Sequence, residues 1–183
     1  MIKLGAAELR TTKSTQEDKE NIKKNQIYIV LDNVMDTYNI GSTFRLADAV
    51  AARKIILCGE TETPPHTRIK KASINTTEWV SWEYALTAKS AIQNLKSRIQ
   101  NLRIISIEQN KKSVSYDKAD YSFPIALVVG HETTGVSKEV LELSDQIVEI
   151  PMWGINKSLN VVISLGIVLY EAMKICNKKM ISL

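Results

Sequence analysis

Cysteine and histidine are scarce in this sequence, and their scarcity narrows the chemistry that the chain can carry. The 183 residues include two cysteines and two histidines. Cys58 lies in an apolar run and Cys176 in a basic tail, a spacing that fits neither a disulfide framework nor a zinc site. We therefore expect buried or incidental thiols, no metal site, and a reducing compartment, which makes the cytoplasm the expected location.

Long apolar runs are also missing. No uninterrupted apolar segment approaches the roughly 20 residues of a membrane span, and the first ten residues lack the apolar core of a signal peptide. We expect no membrane partner. Hydrophobic residues still make up 44% of the chain, enough for an ordinary globular core without a disulfide or metal staple. The formal net charge of +4 favours an anionic partner only weakly, because many enzymes with small substrates are equally basic.

The chain divides into a polar N-terminal part and a regular remainder. Residues 1–26 predict a helical appendage of one or two amphipathic helices, with Ser14 or Thr15 as an N-cap. Residues 27–183 alternate apolar strand-like runs with helical spacing. This alternation predicts an α/β domain with a mainly parallel sheet and helices on both faces.

The predicted elements of this domain have approximate bounds. Strands are expected at 27–32, 54–58, 102–108, 125–130 and 146–151. Helices are expected at 40–50, at 88–100, after Ser137 as N-cap, and from Ser158 to about Lys174. In parallel sheets of this kind, ligands bind at the carboxyl ends of the strands. Three unusual polar clusters fall at those ends.

The first cluster follows the first strand and spans residues 32–45. Asn39 lies in a polar strand-to-helix turn, Gly41 allows a close backbone approach, and Arg45 follows on the next helix. A capped helix start with a surface arginine would give the same pattern. This cluster alone therefore leaves both interpretations open.

The second cluster is the loop Gly130–Gly135 after the strand at 125–130. Two glycines bracket Glu132, but the loop lacks the lysine of a triphosphate-binding loop, so a nucleoside triphosphate is not expected. His131 suggests acid–base work or metal binding. With His66 as the only other histidine and no cysteine nearby, we do not expect a metal there.

The third cluster runs from Ile150 to Asn160 and leads into an apolar helix. Ser158 and Asn160 stand next to that helix, and polar groups placed against an apolar core need hydrogen-bond partners. N-capping of the helix by Ser158 explains the pattern as well as a ligand-binding role does.

Taken together, the three clusters resemble the ordered motifs of the SpoU family of SPOUT RNA methyltransferases. NIGSTFR (39–45), VVGHETTGVS (128–137) and IPMWGINKSLN (150–160) resemble the first, second and third motifs. The resemblance covers residues 27–174. It departs at His131, where the family usually has a small or polar residue.

The resemblance implies a SPOUT fold whose C-terminal part forms a trefoil knot. It also implies S-adenosylmethionine as cofactor, S-adenosylhomocysteine as product, and no metal. The family pocket is built from the knot loops and has mostly apolar walls, which suit adenine. Mapped onto this chain, the predicted cofactor-binding residues are Ile107, Val129, Gly130, Ile150, Met152 and Leu159.

The implied reaction is methyl transfer to a ribose 2′-hydroxyl, which must lose a proton during attack. The resemblance assigns this step to Arg45, although arginine is effectively always protonated, so a phosphate clamp is an equal alternative. We expect Asn39 and Asn160 to orient the hydroxyl or Arg45, Ser158 to join that network, and Glu132 to fix the loops.

The implied partners are structured RNA, tRNA more than rRNA, and a second copy of the chain in a homodimer. Arg68, Lys70 and Lys71, in an expected loop after the second strand, are candidates for phosphate contacts together with Arg45. A base-methylating SPOUT enzyme, a catalytically inactive RNA-binding SPOUT module, and a flavodoxin-like binder of small ligands are the alternatives.

Overall fold

A computed structural model describes the backbone of residues 3–181 and the side chains of residues 3–174. The expectation for the Cys176 thiol lies outside the described side chains. Within the described part, no helix is both long and apolar enough to cross a membrane. Burial raises the pKa of the Cys58 thiol to about 12, which makes this side chain an unreactive part of the core.

A seven-stranded sheet forms the centre of the molecule, and every strand pair in it is parallel. In chain order the strands are β1 (Asn25–Asp32), β2 (Ala52–Cys58), β3 (Trp82–Ala85), β4 (Arg103–Ile107), β5 (Val114–Ser115), β6 (Ile125–Gly130) and β7 (Gln146–Glu149). Their spatial order is β3-β2-β1-β6-β4-β7-β5. The parallel α/β class predicted from the alternating pattern is therefore confirmed.

Helices cover both faces of this sheet. In the described residues they are α1 (Ala6–Thr11), α2 (Gln16–Glu20), α3 (Thr37–Ala49), α4 (Thr67–Ser73), α5 (Ala88–Arg98), α6 (Lys138–Leu143) and α7 (Val161–Ile181). Alternate residues of the central strands supply two cores. Ile29 and Leu127 pack on the side of α3, α4 and α7, whereas Val30 and Val128 pack on the side of α5 and α6.

Three features of the fold differ from the sequence prediction. Arg68, Lys70 and Lys71 lie on helix α4, which His66 caps by accepting a hydrogen bond from the Arg68 N–H, and not in a loop. The last helix begins at Val161 and not at Ser158. The edge strands β3 and β5 were not predicted, because they are short and half-exposed and lack a long apolar run.

The residues before β1 form the two short helices α1 and α2, and Thr15 caps α2 in a reciprocal pair with Asp18. This segment is attached to the domain by polar contacts. The Asn75 side-chain amide donates to the carbonyl oxygens of Leu9 and Thr12, and the Ser14 hydroxyl donates to the carbonyl of Glu78. A domain boundary at residue 26 stays a prediction, as does the knot.

Candidate functional site

The carboxyl ends of β1, β6, β4 and β7 lie side by side in the sheet. Asp32 at the end of β1 is in register with Gly130 at the end of β6, and Ile107 of β4 pairs with Val148 of β7. Since all four strands run in the same direction, the loops that follow them meet at one edge. The three polar clusters of the sequence therefore converge.

A cleft of about 440 Å³ opens between these loops. All six residues predicted to bind the cofactor line it: Ile107, Val129, Gly130, Ile150, Met152 and Leu159. Three of the predicted catalytic residues, Glu132, Ser158 and Asn160, line it too. Its volume is typical of small-molecule sites. Its wall carries more polar than apolar side chains, so it is more polar than the mostly apolar wall that the resemblance implied.

Three side chains form a hydrogen-bonded relay that joins the three clusters. The Asn160 Nδ2 donates to Asn39 Oδ1 at 3.0 Å, and Asn39 Nδ2 donates to Glu132 Oε1 at 2.9 Å. Asn39 is only 8% exposed, so both ends of its amide need partners. The relay fixes the relative positions of the loops after β1, β6 and β7.

The Glu132 carboxylate also accepts two backbone N–H groups, from Met35 at 3.1 Å and from Asp36 at 3.0 Å. Partial burial alone would raise the pKa of Glu132. The hydrogen bonds from Asn39, Met35 and Asp36 outweigh this effect and lower the pKa below its ordinary value. Glu132 is therefore an ionised anchor for the loop after β1.

The loop Gly130–Gly135 closes on itself. His131 and Gly135 exchange two backbone hydrogen bonds, at 3.1 and 2.8 Å. A Cβ atom at Gly130 would lie 2.1 Å from the Gly135 carbonyl carbon, so this approach requires glycine. The His131 Nδ1 accepts the N–H groups of Thr133 at 2.9 Å and Thr134 at 3.4 Å. His131 thus stabilises the loop from within.

The loop between β7 and α7 is held at its C-terminal end. The Gln109 side-chain amide donates to the Lys157 carbonyl, and Asn160 Oδ1 caps α7 by accepting the N–H of Val162 at 2.9 Å. Asn160 is therefore the N-cap that was predicted at Ser158. Ser158 is exposed, and its hydroxyl has no hydrogen-bond partner among the described residues, which leaves it open to a ligand in the cleft.

Arg45 does not join this group within a single chain. It is exposed on α3 and is not part of the cleft wall. Six residues separate it from Asn39, which places it about 9 Å further along the helix axis. Arg68, Lys70 and Lys71 are exposed on α4, which packs against α3.

Glu108 is a site residue that the sequence analysis missed. Its carboxylate lines the cleft and accepts the N–H groups of Val136 at 2.9 Å and Gln109 at 2.8 Å. Its position immediately after β4 was the available signal, because the carboxyl ends of parallel strands are where ligands bind. Among the described residues, no group of three or more His, Cys, Asp or Glu side chains is placed to hold a metal ion.

Known proteins share this sequence pattern. A tRNA (guanosine(18)-2′-O)-methyltransferase of Aquifex aeolicus is 33% identical over 162 residues, which are 85% of this chain and 74% of the relative. Its counterpart in Escherichia coli K12 is 29% identical, over 80% of this chain and 62% of the relative. A 23S rRNA (guanosine-2′-O-)-methyltransferase of Ralstonia nicotianae is 30% identical, over 85% and 61%. The chain thus spans about three fifths to three quarters of these relatives.

Solved structures share the fold. The crystal structure of the A. aeolicus TrmH/SpoU tRNA modifying enzyme superposes with a TM-score of 0.78 at 28% identity, covering 95% of this chain and 83% of the other. An AdoMet-bound rRNA methyltransferase of Sinorhizobium meliloti superposes with a TM-score of 0.76 at 29% identity, covering 91% of this chain and 59% of the other. The family model described as the SpoU rRNA Methylase family matches residues 26–170. The chain therefore belongs to the SpoU rRNA Methylase family.

Proposed function

We propose that this chain transfers a methyl group from S-adenosylmethionine to a ribose 2′-hydroxyl of RNA, with S-adenosylhomocysteine as the second product. The relay of Glu132, Asn39 and Asn160 carries the proposal, because it joins the three family motifs at one cleft. The relatives from A. aeolicus, E. coli and R. nicotianae are all named as guanosine-2′-O-methyltransferases.

The cleft residues fit the proposed cofactor. Ile107, Val129 and Leu159 supply apolar walls for a flat adenine ring. The close contact of Gly130 with Gly135 leaves backbone at the cleft wall in place of side chains, which suits a ligand recognised through its edges. When bound, this cofactor supplies an electrophilic methyl group on a sulfonium sulfur.

The side chains of the relay act by positioning. Because Glu132 accepts three N–H donors and has a lowered pKa, it is a poor general base. The Asn39 amide is bonded to Asn160 and Glu132, and the Asn160 amide is bonded to Asn39 and to the start of α7, so both side chains hold the loops around the reacting atoms. Ser158, with its exposed hydroxyl on the cleft wall, is the proposed contact to the ribose.

We propose that the chain acts as a homodimer and that Arg45 serves the cleft of the partner subunit. The exposed faces of α3 and α7 carry large apolar side chains, with Tyr38 at 50%, Ile163 at 53% and Tyr170 at 55% exposure. Arg45 lies seven residues after Tyr38, on the same face of α3. Pairing of these faces would cover the apolar side chains and carry Arg45 to a second molecule.

For Arg45 we keep two roles, proton acceptor or phosphate clamp, and favour the clamp because a guanidinium is protonated at neutral pH. We propose tRNA as the RNA, since the A. aeolicus and E. coli relatives are named for tRNA. Arg68, Lys70 and Lys71 form an exposed basic surface on α4 that suits its phosphates. We also propose a cytoplasmic location, because the named relatives act on tRNA or rRNA, and residues 1–26 as an appendage to the catalytic domain.

Transfer of labelled methyl groups to separated RNA classes tests this proposal. The purified protein is incubated with methyl-labelled S-adenosylmethionine and with either tRNA or rRNA from cells that lack the protein. We expect label in the tRNA fraction. Label in rRNA alone would correct the substrate, and binding of RNA without any label would favour the inactive RNA-binding module.

A further inference from the structure

Trp153 and Ile155 are the most exposed large apolar side chains among the described residues. Trp153 is 91% exposed and Ile155 is fully exposed, at 103% of the reference area. Between them, Gly154 has no neighbouring atom within 4 Å of where a Cβ would stand. Most proteins bury a tryptophan largely, so this aromatic ring held in solvent at one site is a candidate contact surface.

Trp153 lies on a loop that borders the cleft. Met152 directly before it and Asn156 and Lys157 shortly after it all line the cleft. The hydrogen bond from Gln109 to the Lys157 carbonyl and the helix cap at Asn160 hold the C-terminal side of the loop. The exposed ring therefore belongs to a loop whose flanking residues line the cleft, although the ring itself is not part of the cleft wall.

We propose that Trp153 is a stacking platform for an unpaired nucleobase of the substrate RNA, next to the ribose that is methylated. The inference rests on the proposed function. A ribose can enter a cleft only if its nucleotide leaves the regular stack, and that nucleotide loses stacking energy with its neighbours. An exposed indole replaces the lost stacking whatever the base, because every base has an aromatic face.

A lysine on the same loop fits a nucleic acid as the occupant. Lys157 lies four residues from Trp153 and lines the cleft. An aromatic ring combined with a nearby cation is the usual surface for single-stranded nucleic acid, since one binds the base and the other the phosphate. The competing occupant is a second copy of this chain, which the test below distinguishes.

The test compares Trp153→Ala and Trp153→Phe with the wild-type protein. Both variants should keep the wild-type melting temperature and the wild-type affinity for S-adenosylhomocysteine, because the ring makes no core contact. Trp153→Ala should raise the KM for RNA about tenfold or more, whereas Trp153→Phe should recover most of the loss. Leu86→Ala is the matched control, since Leu86 is 76% exposed on the turn after β3 and should change nothing.

Fluorescence gives an independent readout. Titration with a short unpaired oligoribonucleotide should quench the wild-type emission, and the quench should disappear in Trp153→Phe. If the variants kept the wild-type KM and the wild-type quench, the stacking site would be refuted. The proposed function would still stand in that case, provided that the wild-type protein methylates RNA. Conversion of the dimer to a monomer by Trp153→Ala would assign the ring to the subunit interface and also overturn the inference. A wild-type protein without methyl transfer would refute the proposed function itself.

Discussion

Asn160 donates a hydrogen bond from its side-chain amide to the Oδ1 of Asn39 at 3.0 Å, although 121 positions separate the two residues in the chain. Asn39 in turn donates a hydrogen bond from its Nδ2 to Glu132 Oε1 at 2.9 Å. The three residues come from the three separate motifs. They form one hydrogen-bonded network in which Asn39 is buried and Glu132 and Asn160 reach the surface of the cleft, so loss of any member should disturb the whole cleft.

The first prediction concerns the centre of this network. Asn39→Ala would leave Asn160 Nδ2 without its acceptor and remove one donor from Glu132. We expect a loss of about 1–3 kcal/mol in the free energy of unfolding, together with weaker binding of S-adenosylmethionine. Urea denaturation and calorimetric titration measure the two effects.

Asn94→Ala is the control for this change, because Asn94 is exposed on α5 and its side chain makes no hydrogen bond within the described residues. The double variant Asn39→Ala/Asn160→Ala should lose less stability than the sum of its two single variants, since the amides share one bond. Strict additivity would contradict the relay.

The sequence predicts the centre of the fold better than its edges. The strand at 125–130 was predicted with its observed bounds, because a run buried on both faces is continuously apolar. Strand β3 was not predicted, because it is a four-residue strand at the edge of the sheet that includes Glu83 and the half-exposed Tyr84. Short edge strands form through their neighbours and carry little signal of their own.

The site shows the same division. The six residues predicted to bind the cofactor all line the cleft, because the family motifs specify them residue by residue, and their contact with the cofactor stays a prediction. The cap of α7 was assigned to Ser158 because serine is as good a cap as asparagine, and only the distant partner Asn39 selects Asn160. A motif also cannot show in which subunit a residue acts. The proposed role of Arg45 depends on whether it reaches the cleft of its own chain or that of the partner subunit.

The second prediction is a pH dependence that comes from Glu132. Its pKa in the folded protein lies below the ordinary value of 4.5, so its ionised form stabilises the fold above pH 4.5. That contribution should be lost as the pH falls through the lower folded pKa. Glu132→Gln cannot titrate, and the difference in unfolding free energy between it and the wild type should be constant near neutrality and shrink in acid.

Urea denaturation at a series of pH values down to about pH 3 measures this difference. A difference that stayed constant over the whole range would show that the Glu132 carboxylate does not hold the loop through its charge. Asp120→Asn is not a suitable control, because the pKa of Asp120 is also lowered, by hydrogen bonds from Ser122. Glu142→Gln on the exposed side of α6 changes the charge equally without a hydrogen bond to the carboxylate in the described part.

The third prediction compares two glycines. In Gly130→Ala the new methyl group would meet the Gly135 carbonyl carbon at 2.1 Å and the Val136 nitrogen at 2.2 Å, both backbone atoms. We expect a loss of about 1–3 kcal/mol in stability and of cofactor binding. Gly154→Ala meets open space and should fold like the wild type. Equal melting temperatures for both variants would contradict the closed form of the loop.

The fourth prediction concerns His131. Its Nδ1 accepts the Thr133 and Thr134 N–H groups at 2.9 and 3.4 Å. An asparagine side-chain oxygen accepts the same N–H groups in an Asx turn. His131→Asn should therefore bind S-adenosylhomocysteine about as tightly as the wild type. His131→Ala should bind roughly 5- to 10-fold more weakly, because the loop loses both hydrogen bonds to the imidazole. Isothermal titration would refute this role if both variants bound alike.

The fifth prediction tests whether Arg45 acts in the partner subunit. Arg45→Ala and Asn160→Ala should each be inactive in methyl transfer, and Arg45→Ala should still bind the cofactor. If Arg45 serves the partner's cleft, half of the dimers in an equal mixture are mixed and each has one intact site. The mixture should regain about a quarter of wild-type activity. If Arg45 acts in its own chain, the mixture stays inactive.

The chemical position of the transferred methyl group tests the central claim most directly. RNA methylated with labelled S-adenosylmethionine is hydrolysed in alkali, which needs a free 2′-hydroxyl to cleave the neighbouring phosphodiester. A methylated ribose should leave the label in an alkali-resistant dinucleotide. Label released in a mononucleotide would place the methyl group on a base and contradict the account.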